Sequence, residues 1–277
     1  MTSATLTRAS VPTDARVTWW RVVHAEWIKF RSLRSSLIML AATVAVLVGL
    51  GLAFSAVLAN NPPTPGAPPP PGPPGTSLLE PLGVSLGGVN LAQLLIGTLG
   101  VLLVAGEYGT GMIRSSLAAV PKRWPVLGAK VVVLAGVSLA ALVPAVLLTF
   151  LGGQHILGTD GISLGDDGVL RAVLGAAGYL AGVGVLGVAL GALLRNTAGG
   201  ITSVVALLLV VPGLTSLLPD SWSDAVTPYL PSNAGQALMS IGSNPDLLSP
   251  GAGLAVFVGW LAVLASAAAI LLRRRDA

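Results

Sequence analysis

The sequence contains no cysteine and only two histidines, so disulfides and thiolate metal sites are closed to it. The two histidines, His24 and His155, fall on opposite sides of the membrane in the topology argued below, which leaves no metal cluster of ordinary spacing. Charge is scarce as well: 9% of residues are Asp, Glu, Lys or Arg, against about 25% in soluble domains. No G-x-x-x-x-G-K-[ST] phosphate loop occurs, and no glycine-rich dinucleotide fingerprint stands in the strand-to-helix setting that gives it meaning. The chain therefore carries no recognisable ATP-binding motif of its own. Apolar sequence is what it has in excess, with 53% hydrophobic residues and a mean hydropathy of +0.84.

Those residues come in blocks of roughly 20, the length that crosses about 30 Å of hydrocarbon. The expected fold is an all-α membrane protein with six transmembrane helices, at 37–58, 84–105, 131–151, 172–194, 198–218 and 251–272. The first begins too late and runs too long for a signal peptide. Orientation follows from the cations. Six Lys or Arg precede the first span, four lie between spans two and three, Arg195 lies between four and five, and three are in the tail. Only Arg171 stands in the alternate loops, with seven acids. Both termini are accordingly expected in the cytoplasm, in a multi-pass membrane protein. A net charge of +4 is explained by this asymmetry, not by nucleic acid.

Residues 1–16 are polar and aperiodic and are expected to be disordered. Residues 17–34 read as an amphipathic helix lying in the membrane interface. Trp19, Trp20, Val22, Val23, Trp27, Phe30 and Leu33 share one arc, and Arg21, His24, Lys29, Arg31 and Ser32 lie opposite. Glu26 intrudes on the apolar arc. In residues 62–74 nine of thirteen are proline, which favours an extended spacer. The interval 219–250 reads as short helices at the outer surface.

No span interior carries Asp, Glu, Lys or Arg. Ion-coupled transporters keep such groups at membrane depth, so a self-powered transporter is disfavoured and any transported solute is apolar or amphipathic. Span four holds Gly178 with Gly182 and Gly187 with Gly191, pairs that allow close helix packing either within the subunit or across a dimer seam. Pro144 and Pro212 are candidate kinks in spans three and five. G-x-S-x-G occurs around Ser85 and Ser163, with His155 on the same side. A serine hydrolase needs a strand–turn–helix elbow and an oriented base, neither of which this setting supplies.

The most charged interval is 106–130, GEYGTGMIRSSLAAVPKRWPVLGAK, holding Glu107, Arg114, Lys122, Arg123 and Lys130 between two apolar runs. Here the chain resembles permease subunits of type 2 ATP-binding-cassette (ABC) exporters. Glu107, Tyr108, Thr110, Ile113, Arg114, Pro121 and Arg123 match the family's pattern at the cytoplasmic end of span two, with one additional glycine, Gly111. HAEWIKFRSLRS is similar to the family's interface helix, with Trp20, Trp27, Lys29 and Arg31 as its anchors. LLRNTAGG is similar to its hinge between spans four and five, and PYLPSNAGQAL to its last outer loop.

The resemblance implies a bacterial cell membrane and a transmembrane domain over 17–277 with a coupling helix from about 107 to 119 and no catalytic residues. It implies a homodimer, or a pseudo-dimer with a second permease, seated on separately encoded ATPase subunits that carry ATP and magnesium. The substrate class it implies is an antibiotic, lipid or peptide moved outward. Glu107 is expected either to tether the coupling segment to a basic residue of the interface helix or to be a solvated flank charge. A membrane scaffold or regulatory anchor without transport is the alternative reading.

Overall fold

The computed structural model describes residues 18–61, 81–113, 124–215, 217–241 and 247–274, and every regular element among them is helical. Six helical segments, Arg34–Asn60, Val89–Gly109, Trp124–Asp160, Val169–Leu194, Thr197–Thr215 and Pro250–Arg274, are long and apolar enough to cross a membrane, as in a multi-pass membrane protein. The expectations for residues 1–16 and 62–74 lie outside the described residues.

Helix α1 (Trp19–Ser32) is separated from α2 (Arg34–Asn60) by Leu33 alone, whose extended backbone turns the chain sharply. A short α3 (Pro81–Ser85) leads into α4 (Val89–Gly109). The second span is thus not the continuous 84–105 of the sequence reading. Gly87 lies against the Phe54 ring and Gly88 against the Leu47 carbonyl of α2. That close approach breaks the helix at 86–88, and α4 starts later and runs on through Gly109.

Helix α5 (Trp124–Leu157) has 34 residues and at 1.5 Å per residue is about 51 Å long, so it outreaches the hydrocarbon and carries Lys130 and Gln154 near its two ends. Pro144 sits inside it without ending it. Span five is α7 (Thr197–Val205), a π-helical stretch Ala206–Val210 and α8 (Val211–Thr215), ending earlier than the expected 218. Pro212 supplies the reason for the irregular turn: it has no N–H to donate to the preceding turn, and its ring crowds the carbonyl there.

Helix α6 (Val169–Leu194) is the axis of the bundle: 83% of its membrane window is buried, against 11% for α11 (Pro250–Arg274). Its small residues allow neighbours on several faces. A Cβ on Gly187 would collide with the Gly97 carbonyl of α4, and one on Gly100 with the Gly184 carbonyl. Gly182 receives Phe257 of α11, and Gly191 packs on Val101. These glycines therefore serve packing within the subunit, while Gly178 has open space beside it. In this core the Tyr179 hydroxyl donates to Gln93 Oε1, and the Tyr179 ring tilts against Phe257 at 5.3 Å.

Short helices do follow span five: α9 (Asp220–Val226), a 3₁₀ turn Thr227–Tyr229, α10 (Pro231–Gln236) and a 3₁₀ turn Ala237–Met239. They are more than a surface lid, because all six residues of α10 are buried. Arg171 clamps the segment by donating to the carbonyls of Leu238 (3.1 Å) and Ser240 (2.8 Å). Trp260 Nε1 donates to the Tyr229 carbonyl at 2.9 Å.

Candidate functional site: a buried ring of four charges

At the other end of the bundle, α1 lies across the end of α4 and the start of α5. It buries Val22, Val23, Glu26 and Phe30. The apolar arc read from the sequence is therefore corrected: Trp20, at 74% exposure, and Trp27 face outward beside His24 and Arg31. Glu26, which looked like an intruder, lies at the centre of the buried face. The inward rotation follows from its partners, since a buried carboxylate needs cations and two converge on it.

Lys130 Nζ lies 2.8 Å from Glu26 Oε2 and 2.7 Å from Glu107 Oε1. Lys29 Nζ lies 3.1 Å from Glu26 Oε1 and 3.0 Å from the same Glu107 oxygen. Two acids and two ammoniums thus alternate around a closed ring that joins α1, α4 and α5. Glu26, Glu107 and Lys130 are at most 7% exposed. The Lys29 side chain, at 28%, reaches water. Burial pulls the Lys29 pKa down, but the charges of Glu26 and Glu107 and their hydrogen bonds outweigh it and hold the group above its ordinary 10.5. Lys29 is therefore firmly cationic.

The expected tether from Glu107 to a basic residue of α1 is present, through Lys29. Two other features differ from expectation. Glu107 belongs to the last turn of α4, not to the first turn of a new helix. The chain then turns at Thr110 and Gly111, with Gly111 at φ +73°, and resumes helix at Met112. Glycine enters that left-handed region without a Cβ penalty, so the additional glycine makes the turn and interrupts the helix after Gly109. Arg114 and most of the expected coupling helix lie outside the described residues.

Tyr108 is half-buried, and the Arg195 guanidinium stands over its ring at 5.1 Å. Arg195 ends α6 with φ +53°, and the Asn196 side chain caps α7 by accepting from Gly199 N at 2.9 Å. The 193–200 hinge is thus a tight two-residue link touching the end of α4. Thr110 is exposed and donates to the Gly106 carbonyl at 3.1 Å, while Ile113 is 5% exposed. Trp19 stacks on Trp124 at 6.0 Å, a second contact between α1 and α5.

Among the described residues Glu107 Oε2 is buried without a hydrogen-bond partner, and Glu107 borders a cleft of about 280 Å³ walled by Phe30, Leu33, Leu99 and Leu103. The arrangement ties three helices together and leaves one acceptor open.

The serines of the two G-x-S-x-G matches make local hydrogen bonds. Ser85 Oγ, fully buried, donates to the Pro81 carbonyl at 2.8 Å and receives Gln154 Nε2 at 3.0 Å. Ser163 Oγ accepts from Gly165 N at 3.2 Å inside a loop. His155, one residue from Gln154, is exposed on α5.

Sequence reasoning named Glu107 and Lys29 but missed Glu26 and Lys130 as their partners. The signals were an acid on an apolar arc and a lysine at the last position before an apolar run. A comparison with protein-family models and with curated proteins finds no match for the chain.

Proposed function

We propose that this chain is the membrane subunit of an ATP-driven exporter of the type 2 ABC kind, moving an apolar or amphipathic substrate with energy from a separate ATPase subunit. The observation that carries the reading is the buried charge ring. It fastens the amphipathic helix to the ends of spans two and three, at both sides of the 114–123 segment whose sequence resembles the family's contact with its motor. A push on that segment reaches α4 and α5 through the backbone and α1 through Glu107 and Lys130. Arg195 over Tyr108 extends the same block to the hinge between α6 and α7. The excess of cations at this end supports cytoplasmic termini. Scarcity of ionisable groups at membrane depth supports an antibiotic, lipid or peptide as substrate over an ion.

The test is reconstitution of the chain in lipid with the ATPase subunit that co-purifies with it. Arg114→Ala and Glu107→Gln, compared at equal amounts of folded protein, are expected to insert normally and to lower substrate-stimulated ATP turnover and transport. If no ATPase co-purifies, or if both variants transport at the parental rate, the reading fails and a scaffold or regulatory anchor takes its place.

A further inference from the structure

The half of the bundle opposite the charge ring holds a second cleft, of about 360 Å³, between α2, the start of α4, the π-helical stretch with α8, and α10. Leu50, Phe54 and Leu209 give it an apolar wall, and among the described residues no charged side chain lines it. Its polar end is α10. There Gln236 is 6% exposed, and its Oε1 is buried with no hydrogen-bond partner among the described residues. Two neighbouring amide oxygens are taken: Asn233 Oδ1 accepts from the Ser232 hydroxyl at 3.1 Å, and Gln93 Oε1 accepts from Tyr179.

An acceptor buried without a donor is destabilising, and an apolar side chain of similar size would avoid the penalty. The packing of α10 does not depend on that oxygen, because Gly235 lies against the Tyr179 ring and the Ala234 carbonyl against Gly253. The open acceptor therefore calls for a donor from outside the chain. The irregular backbone of Ala206–Val210 beside it is the kind of helix interruption that recurs at functional sites.

We infer that this cleft binds an uncharged amphiphile whose head donates a hydroxyl or amide hydrogen to Gln236 Oε1 and whose alkyl tail lies along Leu50, Phe54 and Leu209. Carboxylate and phosphate heads are disfavoured because no cation among the described residues lines the cleft, and ammonium heads because no described carboxylate does. The inference concerns binding alone and stands whether or not a motor subunit drives the chain.

The experiment is photolabelling of the full chain in lipid nanodiscs with a diazirine derivative of 1-dodecanol, with labelled peptides mapped by mass spectrometry. Label is expected on the peptides of α8, α10, the start of α4 and the part of α2 that holds Leu50 and Phe54. Unlabelled 1-dodecanol should displace the probe about two- to tenfold better than dodecyl methyl ether, which lacks the donor, as one buried hydrogen bond predicts. Gln236→Leu should keep the label and lose that preference, and Leu209→Trp should fill the cleft and remove the label. Label spread evenly along lipid-facing α2 and α11 overturns the proposal. So does equal displacement by alcohol and ether in the parent chain, a result that does not depend on how either variant folds.

Discussion

Lys130→Met tests the charge ring most severely. Lys130 is the least exposed of the four charged groups, with its side chain at 4%, and it holds Glu26 at 2.8 Å and Glu107 at 2.7 Å. Methionine keeps the volume and removes the charge, so of the two ring lysines only Lys29 is left to the two buried carboxylates. Removing one member of a buried ion pair destabilises by about 3–5 kcal/mol, chiefly through the stranded charge. Glu107→Leu should fall at the lower end of that range, because the excess cation it leaves includes Lys29, which already reaches water. In Glu107→Leu/Lys130→Met the Glu26–Lys29 pair at 3.1 Å survives as a neutral unit. The double variant should accordingly be more stable than the sum of the single losses by roughly 2–3 kcal/mol. Reversible unfolding in mixed micelles, followed for all four proteins, measures this coupling. Additivity within about 0.5 kcal/mol would refute the ring as a cooperative unit.

Lys29 has a raised folded pKa, so its contribution is full below about 10.4, the unfolded value. Stability measured from pH 7 to 10 should be flat on its account and should fall as pH rises above 10.5, with the fall attenuated in Lys29→Met. Gly187→Ala drives a Cβ into the Gly97 carbonyl, and because backbone cannot rotate away the thermal midpoint should drop by an amount corresponding to about 1–3 kcal/mol or more. Gly178→Ala, with open space beside it, is the matched control and should be near neutral. Tyr179→Phe strands the buried Gln93 carbonyl and should cost about 1–3 kcal/mol, most of it recovered in Tyr179→Phe/Gln93→Leu. Unfolding of the single and double variants side by side decides that point.

The number of spans was legible because block length and composition report membrane thickness directly. Span ends were less so, for identifiable reasons. The break at 86–88 comes from Gly87 and Gly88 touching α2, a contact between segments some forty residues apart that no local pattern encodes. Pro212 announces an irregularity, but whether it kinks the helix or opens a π turn depends on the neighbours of span five. On α1 the periodicity was correct and its phase was not: tryptophan is apolar by composition, yet Trp20 and Trp27 point outward, as amphipathic rings do at an interface. The pairing of Glu26 with Lys130 spans 104 positions and of Lys29 with Glu107 spans 78, so only the tertiary fold could disclose it. The small-residue pattern of α6 was readable as close packing, and α4 was found opposite it only in three dimensions.

A ring of charges is a poor way to gain stability, since well-packed apolar side chains at the same places would hold the helices about as strongly. What it supplies is register. Glu107 Oε1 serves both lysines and Lys130 serves both acids, so no pair can be broken without unbalancing its neighbours. Sliding α1 by one helical turn, about 5.4 Å, would carry Glu26 away from Lys130 and leave buried ions unpaired on three helices. Apolar contacts grade smoothly over such a shift, whereas the ring permits one seated position. Helix α1 must therefore travel with the ends of α4 and α5 as one block, or leave its seat altogether. Displacement applied anywhere on that block, including the turn at Thr110 and Gly111, moves all three helices together.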